Sequence, residues 1–131
     1  MTKPIIQKIK FSGVSSETLY SQYLNPKVHS EITDSTAVIS SKEGKNFSAY
    51  DGYITGKNIR LLPDKMIVQS WKASDWKENE ESVLILEFEN SGEDCFLQMT
   101  HIGVPESELS GISRGWKDFY WSPWKKYLKE L

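Results

Sequence analysis

One cysteine, two histidines and no sustained apolar run: in a chain of 131 residues these scarcities remove several classes of protein at once. Cys95 has no second thiol to pair with, which excludes an internal disulfide and any multi-cysteine zinc site. Adding His29 and His101 still leaves a closed four-ligand zinc centre short unless carboxylates complete it. Neither a metal nor another cofactor is expected. The longest clear apolar run, Val83 to Leu86, falls far below the roughly 18 residues of a membrane span, so the chain is not expected to cross or bind a bilayer. Lys3, Lys8 and Lys10 interrupt the amino terminus where a secretory signal needs a continuous apolar stretch, so cytoplasmic residence is expected. The sequon Asn46-Phe47-Ser48 then has no consequence. Excess positive charge is also missing. Sixteen Lys and Arg stand against eighteen Asp and Glu, giving a net charge of -2, so nucleic acid is not an expected partner.

What is present suits one domain over residues 1–131, long enough to bury roughly two-thirds of its unfolded surface. Residues 3–11 mix Ile5, Ile6, Ile9 and Phe11 with lysines, as in an edge or near-edge strand with one solvated face. Ser15 or Ser16 can cap a helix over 16–24, in which Leu19, Tyr20, Tyr23 and Leu24 recur at helical spacing. Asn25-Pro26 ends it and starts a second short helix over 26–32.

From Thr36 to Ile102, strand-like runs are broken at 42–45, 63–64, 76–81 and 90–92, the pattern of an antiparallel meander. Leu84, Leu86 and Phe88 share one parity, as do Cys95, Leu97 and Met99, so both strands carry a core face. After Pro105 the period turns helical. Trp116, Phe119, Tyr120, Trp124 and their apolar neighbours share one arc, and Pro123 predicts a kink near 119–123. The order defines an α+β domain, a long helix laid over a curved sheet, with a cleft between them as the ligand site.

Two motifs fail on context. Gly111-Ile112-Ser113-Arg114-Gly115 fits the nucleophile elbow of α/β hydrolases, but that mechanism needs a histidine after the serine, and both histidines precede it. Gly52-Tyr53-Ile54-Thr55-Gly56-Lys57 has too few residues between its glycines for a phosphate loop, and Asn58 stands where a Ser or Thr would bind magnesium. Its glycines instead suit a turn or bulge. Cys95 and His101, six residues apart on one strand, lie ~20 Å from each other, too far for a nucleophile and its base. No catalytic constellation emerges, and the chain is not expected to be an enzyme.

Several segments together resemble the activators of the heat-shock protein 90 ATPase, within the START-like SRPBCC superfamily: Asn25 to Thr33, Phe47 to Gly56, Leu62-Pro63, Ile67 to Trp71, Leu97 to Pro105, and Gly115-Trp116. Their order and spacing over nearly the whole chain carry the likeness. The resemblance implies a helix-grip fold, two short helices and a long carboxy-terminal helix gripped by an antiparallel sheet around a cavity. Eukaryotic activators join this domain to an amino-terminal one that makes major chaperone contacts, for which 131 residues leave no room. The expected function is therefore non-catalytic binding of an apolar or amphipathic small molecule. Leu86, Phe88, Leu97, Met99, His101, Trp116, Phe119 and Tyr120 would line the cavity, and Met99→Trp would fill it. Surface interaction with heat-shock protein 90 is the alternative, and a cyclase- or hydrolase-like enzyme using His101 is a third reading.

Overall fold

The computed structural model describes residues 2–131. Strand β1 (Ile5–Phe11) leads into helices α1 (Ser16–Leu24) and α2 (Pro26–Thr33), then strands β2 (Asn46–Ala49), β3 (Ile54–Leu62), β4 (Met66–Ala73), β5 (Ser82–Ser91) and β6 (Asp94–Ile102). A continuous helical segment over 106–129 follows. It runs through a 3₁₀ turn (Glu106–Glu108), α3 (Leu109–Trp116), a π turn (Lys117–Trp121) and α4 (Ser122–Lys129).

Local chemistry sets these boundaries. The Ser15 side chain accepts from the Thr18 N–H and caps α1, while the Asn25 side chain accepts from the Lys27 and Val28 N–H groups with Pro26 in the first turn of α2. All three N–H groups would otherwise lack partners at a helix start.

The strands form one antiparallel sheet in the order β1-β6-β5-β4-β3-β2, so β1 is an edge strand. Its register brings one parity together on the inner face. Leu86 lies opposite Met99, Phe88 opposite Leu97, and Leu84 and Ile5 both opposite His101. The curved sheet, the paired amino-terminal helices and the long terminal helix make a helix-grip fold. Gly56 is required where β3 passes β4: a Cβ there would lie 1.9 Å from the Ser70 carbonyl oxygen.

Three tryptophans fasten the terminal helix. The Trp116 indole N–H donates to His101 Nδ1 on β6 at 3.1 Å, that of Trp121 to Gln7 Oε1 on β1 at 2.7 Å, and that of Trp124 to Gln22 Oε1 on α1 at 2.8 Å. Gln7 in turn donates to the Ser113 carbonyl at 2.9 Å and to its hydroxyl at 3.2 Å, so the serine of the rejected elbow pins helix to edge strand. Trp121 reaches the core because the i→i+5 bonding of the π turn carries residue 121 back over residue 116. The two indoles stack at 5.3 Å and 18°.

Candidate functional site

Beneath the terminal helix the grip is filled. Leu86, Leu97 and Met99 have no exposed surface, and none of them lines the cleft beside the terminal helix. A tryptophan at Met99 would therefore overpack the core rather than fill a cavity. Phe88 lies elsewhere, edge-on to Tyr20 at 6.1 Å and beside a polar depression bordered by Ser16, Lys65 and Glu89.

His101 is sealed behind the tryptophans. Ser82 Oγ donates to the Trp71 carbonyl at 2.7 Å, so it accepts from His101 Nε2 at 2.8 Å, while Nδ1 accepts from Trp116. The ring is thus the neutral Nε2–H tautomer, and burial pushes its pKa down to about 3. His29 is held likewise. Its Nδ1–H donates to the Tyr23 carbonyl at 2.8 Å and its Nε2 accepts from the Tyr120 hydroxyl at 3.0 Å, and burial again lowers its pKa. The Tyr120 hydroxyl is therefore committed inside the fold.

The open site lies to one side, where the first half of the terminal helix faces the β2–β3 turn and the ends of β3 and β4. This cleft has a volume of about 540 Å³. Trp116, Phe119, Tyr120, Ile112, Gly111 and Gly115 form its helical wall, Tyr50, Tyr53, Ile54 and Trp71 the opposite wall, and Asp75 and Glu108 complete the lining. Of the residues expected inside, Trp116 and Tyr120 are buried and border this cleft. Phe119 borders it from outside, 58% exposed, instead of facing the sheet. The π turn accounts for the difference: it brings Trp121 onto the buried face and leaves Phe119 off it.

The opposite wall depends on an unusual turn. Tyr50, Asp51 and Gly52 have φ of 51°, 54° and 87°, three successive left-handed residues, of which only the glycine adopts that conformation freely. The turn carries Tyr50 across to the helix, where its hydroxyl donates to the Phe119 carbonyl and its ring meets Phe119 and Tyr120 edge-on at 5.8 and 5.9 Å. In an unbroken α-helix the N–H of residue 123 would serve that carbonyl, but Pro123 has none. Burial raises the Tyr50 pKa to about 12, so the donor keeps its proton.

Gly111 and Gly115, one helical turn apart, open the floor; a Cβ at Gly111 would meet nothing within 4 Å. The Trp71 and Trp76 indole N–H groups are buried without a hydrogen-bond partner among the described residues. Sequence reasoning missed Tyr50, Tyr53, Ile54, Trp71, Asp75, Glu108, Gly111, Ile112 and Gly115 as lining residues. The available signals were the aromatics flanking Asp51-Gly52 and two glycines at i, i+4 on a helix otherwise rich in aromatics.

No group of three or more His, Cys, Asp or Glu among the described residues could hold a metal, and no described helix is long and apolar enough to cross a membrane.

The curved sheet closed over the terminal helix, with an aromatic cleft at its side, is a helix-grip domain of START-like, SRPBCC-like fold. Residues 13–129 match the family model described as "Activator of Hsp90 ATPase homolog 1-like protein", and the chain belongs to that family. It is 30% identical over 117 residues to the activator of 90 kDa heat shock protein ATPase homolog of Dictyostelium discoideum, covering 88% of this chain and 30% of that protein. It is 27% identical over 106 residues to homolog 1 of Homo sapiens, covering 81% and 31%. The chain thus spans about a third of the length of these curated relatives. Among solved structures, PFC0360w, an HSP90 activator from Plasmodium falciparum, superposes with a TM-score of 0.87 at 23% identity, covering 95% of this chain and 96% of that one.

Proposed function

We propose that this chain is a non-catalytic binding module that docks on heat-shock protein 90 in the cytoplasm. The observation that carries the reading is the family match over 13–129, joined to 30% identity with a relative named as an activator of that ATPase. The neutral, doubly bonded state of both histidines supports binding over catalysis, since each ring nitrogen already has a protein partner and neither ring borders the cleft. The test is calorimetric titration of the purified chain into full-length heat-shock protein 90, with ATP turnover followed in parallel. Saturable binding with an altered turnover rate is expected; no binding heat and unchanged turnover overturn the reading.

The cleft favours a second reading: a small apolar or amphipathic molecule held between helix and sheet edge. A volume of about 540 Å³ lies in the range of small-molecule sites, and a largely aromatic lining with few polar groups is their usual composition. Octanol should bind to the parent protein and be excluded by Gly111→Leu, whose side chain would enter the open floor. Equal binding by both proteins would remove this reading.

A further inference from the structure

We infer that the cleft selects an organic cation, a quaternary or protonated amine carried on an apolar body. The inference rests on the small-molecule reading of the cleft and adds the charge of the occupant.

Six of the twelve residues that line the cleft are aromatic. Tyr50, Tyr53 and Trp71 line it from the sheet side and Trp116, Phe119 and Tyr120 from the helix. Ring faces carry negative quadrupole charge, and several converging on one space form the cage by which proteins hold quaternary ammonium groups. No Lys or Arg lines the cleft, and the cation–π pairs found, Lys8 on Phe96 and Lys125 on Phe11, lie on other parts of the surface. The aromatic faces are thus free of an internal cation.

The charged lining points the same way. The two charged side chains of the cleft are both carboxylates, Asp75 and Glu108. Asp75 Oδ1 accepts from the Tyr53 hydroxyl at 3.0 Å, which ties the carboxylate to a cage residue. Neither acid has an ion-pair partner among the described residues, whose salt bridges are Lys10 to Asp94 and Arg60 to Glu43. An anionic head would meet two like charges and no donor cation. A neutral tail would fill the apolar walls and leave the carboxylates unanswered. An ammonium on an apolar body uses both features.

The test compares three probes with one eight-carbon tail: octyltrimethylammonium, octanol and octyl sulfate. Each is titrated below its micelle concentration at low ionic strength, where surface charge is least screened, with binding read by tryptophan fluorescence and calorimetry. The expected order is cation, alcohol, anion, with the cation favoured over the alcohol by roughly tenfold. The double variant Asp75→Asn/Glu108→Gln should weaken the cation and leave the alcohol unchanged, the cation preference that persists being that of the aromatic rings. Circular dichroism verifies that each variant is folded. Equal affinities, or an anion that binds as well as the cation, overturn the inference while leaving the cleft reading in place. If no probe binds, or Gly111→Leu excludes none, the cleft reading falls with it.

Discussion

At the scale of single residues, several buried polar groups find partners in other elements, while the Trp71 and Trp76 indoles find none among the described residues. His101 shows the consequence most directly. Its ring is neutral in the fold, with a pKa of about 3 against an ordinary 6.5, so the unfolded chain binds the extra proton. Stability from this group is therefore complete above about pH 6.5 and is lost as pH falls toward 3, at up to about 1.4 kcal/mol per pH unit. His29, lowered by burial in the same direction, adds to the same loss. The two ion pairs among the described residues are solvent-exposed and contribute little to it. Urea midpoints measured from pH 7 to pH 4 should fall continuously; a flat profile would show that neither imidazole is held neutral in the fold. Gly56 is a second such residue. With Ser70 backbone at 1.9 Å and the Phe47 ring at 2.6 Å from an added Cβ, Gly56→Ala should cost about 1–3 kcal/mol. An unchanged denaturant midpoint would mean that β3 can move away from β4.

At the scale of elements, the turn after β2 and the π turn in the terminal helix solve one problem jointly. Pro123 removes a donor from the helix, and the Tyr50 hydroxyl replaces it at the Phe119 carbonyl. Tyr50→Phe should destabilise by about 0.5–1.5 kcal/mol. The cost should shrink in a Pro123→Ala background, where the helix regains its own N–H. A double-mutant cycle measures this coupling, and strict additivity would show that the two residues act independently. The same pair marks how far the sequence was legible. Helix caps at Ser15 and Asn25, strand parity around Leu86 and Met99, and breaks at Pro63 and Gly92 are local signals, and each gives its element directly. Phe119 and Trp121 were not readable, because a constant 100° per residue fails across a π turn, which exchanges their faces. The cleft was unreadable for a related reason: Tyr50 and Tyr53, set by a turn of left-handed residues, and Asp75, just beyond β4, are all distant from the helix in sequence.

At the scale of the whole molecule, the terminal helix is the member through which the other elements are joined. Trp116 bonds to β6, Trp121 to β1, Trp124 to α1, and the Tyr120 hydroxyl to His29 on α2. Aromatic contacts continue the connection: Trp116 packs on Trp71 of β4 at 5.9 Å and on Trp121 at 5.3 Å, and Trp124 on Phe11 at 5.2 Å. A helix tied in this way cannot leave the sheet without exposing four large rings and orphaning their partners, so helix and sheet should unfold together. Trp116→Ala tests both parts of the argument. The ring is almost fully buried, so truncation should cost ~3–5 kcal/mol, including the cavity and the loss of the donor to His101. Far-ultraviolet circular dichroism and the fluorescence of the remaining tryptophans should still report one coincident transition, shifted to lower denaturant. A midpoint within error of the parent would make Trp116 peripheral to stability. Two separated transitions, helix before sheet, would show that the indole bonds do not bind the domain into one cooperative unit.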